Sequence, residues 1–144
     1  MKTAIRFHSK FGHTRTMAEA VKNIAGATPL DVKQPIREPV DVLFLGAGVM
    51  MGKVDGSVLS FIKTLTPDKV KRVVCFGSSA IIPSPVPQMR RALEESGIEV
   101  DERSFTCAGS MGPLKAGHPN TDDIENFKKF VSDIVASDAN QNMQ

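Results

Sequence analysis

The sequence predicts a doubly wound α/β fold: a five-stranded parallel sheet with helices on both faces, a three-layer α/β/α arrangement. Three observations predict it. Short apolar runs alternate along the chain with stretches of helical periodicity, a pattern that gives parallel strands joined by right-handed crossovers. The runs at 41–46 and 73–76 are apolar without alternation, as strands covered on both faces are. The length of 144 residues suits one domain burying roughly two thirds of its unfolded surface.

The elements follow in order. Lys2 to His8 forms the first strand and runs into the turn Ser9-Lys10-Phe11-Gly12-His13-Thr14, with a helix opening at Arg15. In that helix Met17, Val21 and Ile24 recur at helical spacing beside Ala18, Ala20 and Ala25, and Gly26 stands where a C-terminal stop is expected. Thr28 to Val32 is a weak strand, and 33–39, with two prolines, is a connection. Asp41 to Gly46 is the third strand. Asp55 caps a helix whose Val58, Leu59, Ile62 and Leu65 face inward until Pro67 ends it. Val73 to Phe76 is the fourth strand. Ser84 as cap and Pro85 in the first turn open a helix carrying Met89, Ala92 and Leu93 inward until Gly97. Ile98 to Phe105 returns as a strand with allowance for an interruption. The last helix begins near Asn120, with Asp122 and Asp123 where the dipole favours them and a stripe of Ile124, Phe127, Val131 and Ile134. The domain is expected to span 1–137, with 138–144 a frayed polar tail.

Composition narrows the function classes. The net charge is +2, and Lys and Arg are scattered rather than gathered in a stripe, which argues against nucleic-acid binding. Cys75 and Cys107 show neither metal spacing nor a disulfide framework, so reduced cytosolic thiols are the simplest account. The apolar runs are too short for a membrane span and the first residues do not read as a signal peptide. A cytoplasmic protein without membrane contact, monomeric or weakly dimeric, is expected.

Ligands of a doubly wound sheet bind beyond the carboxyl ends of its strands, at the switch point. Three loops meet there: Ser9 to Thr14, Gly46 to Lys53, and Gly77 to Ser84. The first is the best anion site, because orphan N–H groups and the helix dipole point at whatever sits at a strand-to-helix turn. Ser9 and Thr14 hydroxyls, with backbone N–H groups from Lys10 to Thr14, can hold phosphate oxygens without an arginine. His13 reads as a solvated side chain in that turn and His8 as structural. Two weaker motifs fall away. Ala108-Gly109-Ser110-Met111-Gly112 departs from the nucleophile elbow at its first residue and is followed by Pro113. Gly46, Gly48 and Gly52 miss the dinucleotide-binding spacing by one residue.

The three loops together resemble the flavodoxins and related short flavodoxin-domain proteins over nearly the whole chain. The first loop is similar to their FMN-phosphate loop, T/S-x-T-G-x-T, with Phe11 in place of the middle hydroxyl and Met17-Ala18-Glu19-Ala20 following. Asp41 to Gly46 through Val49-Met50-Met51-Gly52-Lys53-Val54 resembles the second loop, and Gly117-His118-Pro119-Asn120 also recurs in the family. The resemblance implies strand order 2-1-3-4-5 and FMN handling single electrons. It places the phosphate on Ser9, Lys10, Phe11, Gly12, His13 and Thr14. It places the ring between Gly48, Val49, Met50, Met51 and Gly52 on one side and Gly77, Ser78, Ser79, Ala80, Ile81 and Ile82 on the other, with the Gly52 carbonyl near flavin N5. It implies no catalytic residue, no metal, and a redox protein partner that is a reductase or an acceptor.

The chain departs from the family at the ring. It has no Trp and no Tyr, and Met50, Met51, Ile81 and Ile82 stand where aromatic side chains commonly stack. Loss of stacking worth ~1–3 kcal/mol weakens binding about 10- to 100-fold, of which methionine–ring contacts recover part. Lys115 and His118 belong to a Gly-rich loop, 108–119, expected over the ring edge, with a helix-entry role the equal alternative for His118. Two alternatives stay open: a flavodoxin-like module that binds no flavin and acts by protein interaction, and an FMN-dependent reductase of small organic acceptors.

Overall fold

Pleated alternation sorts the strand residues to two faces. Ile5, Phe7, Val42, Phe44, Val74 and Phe76 point to one side of the sheet, and Ala4, Leu43, Leu45, Val73 and Cys75 to the other. The computed structural model describes residues 1–50, 52–79, 84–108 and 119–142. Its strands are β1 (Thr3–Phe7), β2 (Pro29–Asp31), β3 (Val40–Met50), β4 (Lys53–Val54), β5 (Val70–Ser79) and β6 (Val100–Ala108). Its helices are α1 (His13–Ala20), α2 (Lys22–Ala25), α3 (Gly56–Lys63), α4 (Val86–Glu95) and α5 (Thr121–Asn142).

The order β2-β1-β3-β5-β6, all parallel, is the expected 2-1-3-4-5 once β4 is set aside. β4 is an addition: a two-residue arm that folds back antiparallel on the end of β3, pairing Val49 with Val54 and Met50 with Lys53. Gly52, at φ +78°, sits in the connection, a conformation that glycine adopts without strain.

On the first face lie α1, α2 and α5, burying Met17, Ala18, Val21, Phe127, Val131 and Ile134. On the second lie α3 and α4, with Val58, Phe61, Ile62, Met89 and Leu93. No helix spans the β2-to-β3 crossover. Residues 32–39 form a strap instead, and Val32 and Ile36 enter the second core. Arg6, pointing out of β1 beneath it, holds the strap by donating from Nε to Gln34 O at 2.9 Å and from Nη2 to Pro35 O at 3.1 Å. Burial lowers the pKa of this guanidinium.

Local signals set the helix ends. The Asp55 carboxylate accepts from Ser57 N–H at 2.8 Å, the expected cap of α3. Ser84 Oγ accepts from Val86 N–H at 3.1 Å at the start of α4. Asn120 and Asp123 cap α5 reciprocally, each side chain accepting the other's N–H at 2.9 Å.

Several boundaries differ from the sequence reading. The first helix starts at His13 rather than Arg15 and breaks at Val21 into α1 and α2. β3 and β5 run on to Met50 and Ser79, so Gly48, Val49, Gly77, Ser78 and Ser79 lie on strands rather than in loops. β6 carries the expected interruption, a register shift between the pairs Val73–Val100 and Cys75–Ser104. The C-terminal helix continues to Asn142, and Asp138, read as the start of the polar tail, is buried. The cause is Arg72 on β5: its Nη2 donates to the Asp138 carboxylate, and its Nε lies 3.0 Å from Asp101 Oδ2. Among the described residues no helix is long and apolar enough to cross a membrane.

Candidate functional site

The ends of β1, β3 and β5 and the start of α1 converge at the switch point, because the chain leaves β1 toward β2 on one side and returns to β3 on the other. Gly12 precedes α1 at φ +89°, with no side-chain hydrogen bond capping the helix and no acidic residue in its first turn. A helix start left this way offers its N–H groups and the positive end of its dipole to an anion. Gly12 O is occupied, accepting from Thr16 N–H at 3.0 Å and Thr16 Oγ1 at 2.8 Å. This fixes the turn.

Ser9 supplies the informative side chain. Its Oγ is buried and has no hydrogen-bond partner. A buried hydroxyl left unsatisfied costs about 1–3 kcal/mol, so one retained beside an uncapped helix start fits a bound acceptor. Thr14, paired with Ser9 in the sequence reading, is placed differently: it is buried, and its Oγ1 lies 3.2 Å from Ser78 Oγ on β5. Either oxygen can donate, so this pair ties α1 to the sheet. Gly48 borders it, and a Cβ there would lie 3.7 Å from Ser78 Oγ and 3.8 Å from Thr14 Oγ1.

Two glycines beneath are required by close approach. A Cβ on Gly46 would fall 2.4 Å from the Phe76 ring and 2.9 Å from Thr14 Cγ2. One on Gly77 would fall 2.2 Å from Ala47 O. They let α1 and α4 sit close on the sheet below the site, a role the sequence hides because it depends on Phe76, Thr14, Ala47 and Pro85 coming close in the fold.

Around the rim, Lys10 and Phe11 are exposed, and the Lys10 ammonium lies 5.8 Å from the Phe11 ring centroid. The His13 and Phe11 rings are 6.4 Å apart. His8 Nε2 lies 3.4 Å from Asp55 Oδ2, a contact that gives His8 a structural partner. Hydrogen bonds from Ser57 hold the Asp55 carboxyl below its ordinary range, with smaller help from His8 and Lys10. Burial pushes both thiols, Cys75 and Cys107, to about 12, so neither carries a thiolate at neutral pH. Cys107 Sγ lies 3.6 Å from Met17 Sδ in the core.

The structure thus brings Ser9, Gly12, Thr14, Gly48 and Ser78 to one end of the sheet, with Val49 and Gly52 on the hairpin beside them and Gly77 and Ser79 on β5. Met51, Ala80, Ile81, Ile82, Lys115 and His118, and the side chain of Met50, lie outside the described residues. Among the described residues no cluster of His, Cys, Asp or Glu is arranged to hold a metal ion. The donor set fits a phosphate: one orphaned hydroxyl, a helix start without a side-chain cap, and glycine at the turn.

No protein-family model matches the chain, nor does any curated protein sequence. Solved structures do. A flavodoxin from the domain Archaea superposes with a TM-score of 0.78, covering 95% of this chain and 98% of that one at 18% identity. Oxidised Flavodoxin 2 from Bacillus cereus gives 0.68 over 91% of this chain and 95% of that one, at 17% identity. A flavoprotein from Lactobacillus acidophilus, solved in complex with FMN, gives 0.60 over 73% and 91%, at 16% identity. At such identities the likeness is one of fold, and the fold is flavodoxin-like.

Proposed function

We propose that this flavodoxin-like chain binds FMN by its phosphate and carries single electrons between protein partners. The observation that carries the reading is the buried, unpartnered Ser9 hydroxyl beside the uncapped start of α1. Ser9 Oγ donates to a phosphate oxygen, and the N–H groups after Gly12 complete an uncharged cradle. Thr14 and Ser78 brace the cradle against β5, and whichever hydroxyl accepts in that pair keeps a proton to donate to the phosphate. The β3–β4 hairpin forms one wall, tied to α4 where Val54 N–H donates to Gln88 Oε1 at 2.9 Å. Bound flavin supplies one-electron transfer chemistry.

A carrier is favoured over a reductase by the side chains on the page. His8 is engaged with Asp55, and both thiols are buried and protonated. Neither His8 nor either thiol is thus placed to hand a proton to an organic acceptor. The test is turnover of the FMN-loaded protein. The expected result is flavin reduction only through a partner reductase. Steady reduction of a quinone or nitro compound by a nicotinamide donor alone would overturn the carrier assignment.

A further inference from the structure

The described surface exposes few large apolar side chains, and one of them, Phe11, is 53% exposed on the first loop itself. A phenylalanine ring in water at the tip of a ligand loop does nothing for the core. Cations lie nearby: the Lys10 ammonium sits 5.8 Å from the ring centroid, and Arg15 is exposed in the first turn of α1, with the His13 ring 6.4 Å from Phe11. Lys53, exposed on the β3–β4 hairpin, adds a charge at the same end of the sheet. Asp55, a carboxylate near this end of the sheet, is hydrogen-bonded to Ser57 and contacts His8, Glu19 further along α1 pairs with Lys22, and the first turn of α1 has no acid.

We infer that Phe11, with the Lys10 ammonium near its ring and Arg15 and Lys53 exposed at the same end of the sheet, is the docking patch for an acidic protein partner. An exposed aromatic anchor inside a charged rim is the arrangement that concentrates binding energy at protein interfaces. The cations steer an acidic surface toward the end of the sheet where the ligand is anchored. A partner of protein chemistry is favoured over nucleic acid because an exposed ring stands among these cations, Lys and Arg form no stripe along the sequence, and the whole chain is only +2. The inference rests on the electron-carrier reading.

The experiment follows amide shifts of the isotope-labelled, FMN-saturated protein on addition of an acidic plant-type ferredoxin, a basic cytochrome c, single-stranded DNA, or anionic phosphatidylserine vesicles. The expected result is a set of shifts centred on residues 10–15 and 53 with the ferredoxin only, weakening as salt rises past about 0.1 M. Arg15→Gln with Lys53→Gln, measured on flavin-saturated protein, should weaken that binding about 10-fold. Phe11→Ala, measured on flavin-saturated protein, should weaken it about 30-fold. Preference for cytochrome c, equal binding of DNA or vesicles at these residues, or no loss on Phe11→Ala would overturn the inference while leaving FMN binding standing. Failure to bind FMN would overturn the carrier reading, and the shifts could still be read on the flavin-free protein.

Discussion

Replacing Ser9 by alanine should move stability and ligand affinity in opposite directions. In the flavin-free protein Ser9 Oγ is buried without a partner, a state that costs about 1–3 kcal/mol. Removing the hydroxyl recovers part of that, so Ser9→Ala should be more stable by about 1 kcal/mol and melt about 3 °C higher. The same hydroxyl is assigned to the phosphate. A hydrogen bond to a charged group contributes about 1.5–3 kcal/mol, so FMN affinity should fall about 10- to 150-fold. Thr14→Val provides the contrast: it strands Ser78 Oγ, its partner at 3.2 Å, and should lower stability by about 1–3 kcal/mol. Chemical denaturation of the flavin-free variants, with titration by quenching of flavin fluorescence, measures both quantities. Wild-type FMN affinity in Ser9→Ala, or a less stable flavin-free protein, would refute the assignment.

Gly77→Ala should destabilise the fold by more than about 2 kcal/mol, because its Cβ would meet backbone, Ala47 O at 2.2 Å, which cannot rotate away; a denaturant midpoint matching wild type would contradict this. Asp138→Ala should cost about 3 kcal/mol by leaving Arg72 half paired under α5, read by urea unfolding. Burial pushes the Asp101 carboxyl up, but hydrogen bonds and charge from Arg103, with Arg72 behind them, hold it below its ordinary range. A carboxyl depressed in the folded state stabilises fully above its unfolded value of about 3.9, so stability should fall as pH drops below about 4, and Asp101→Asn should flatten that fall. With a net charge of +2 and no Trp or Tyr, the fully reduced flavin should cost less to form than in acidic flavodoxins. Spectroelectrochemical titration should therefore place the second-electron potential at a less negative value than theirs.

What could be read from the sequence was what local chemistry determines. The helix stripes, the Asp55 cap and the Gly12 turn are set by residues within a few positions of one another, and each stands where the spacing puts it. The misreadings involve distant partners. Gly48 and Gly77 look like loop residues, yet they are strand positions where Ser78 and Ala47 approach, and Gly46, read as the end of a strand, gives no sign of the Phe76 ring against it. Asp138 looks like part of a tail until Arg72, 66 positions away, is brought beneath it. The two-residue arm β4 is too short to leave a periodic signal, and only Gly52 marked its turn. The sequence offered Ser9 and Thr14 as equal phosphate donors. Folding sets Thr14 Oγ1 3.2 Å from Ser78 Oγ and gives Ser9 Oγ no partner, a difference that no local spacing encodes.

The central claim is that the first loop anchors a phosphate, and riboflavin tests it because it carries the same ring without one. Two charge-assisted hydrogen bonds to the phosphate contribute about 3–6 kcal/mol. Parallel fluorescence titrations should therefore show FMN binding at one site per chain, at least about 100-fold tighter than riboflavin. Equal affinity for the two flavins, or binding of neither, would contradict it.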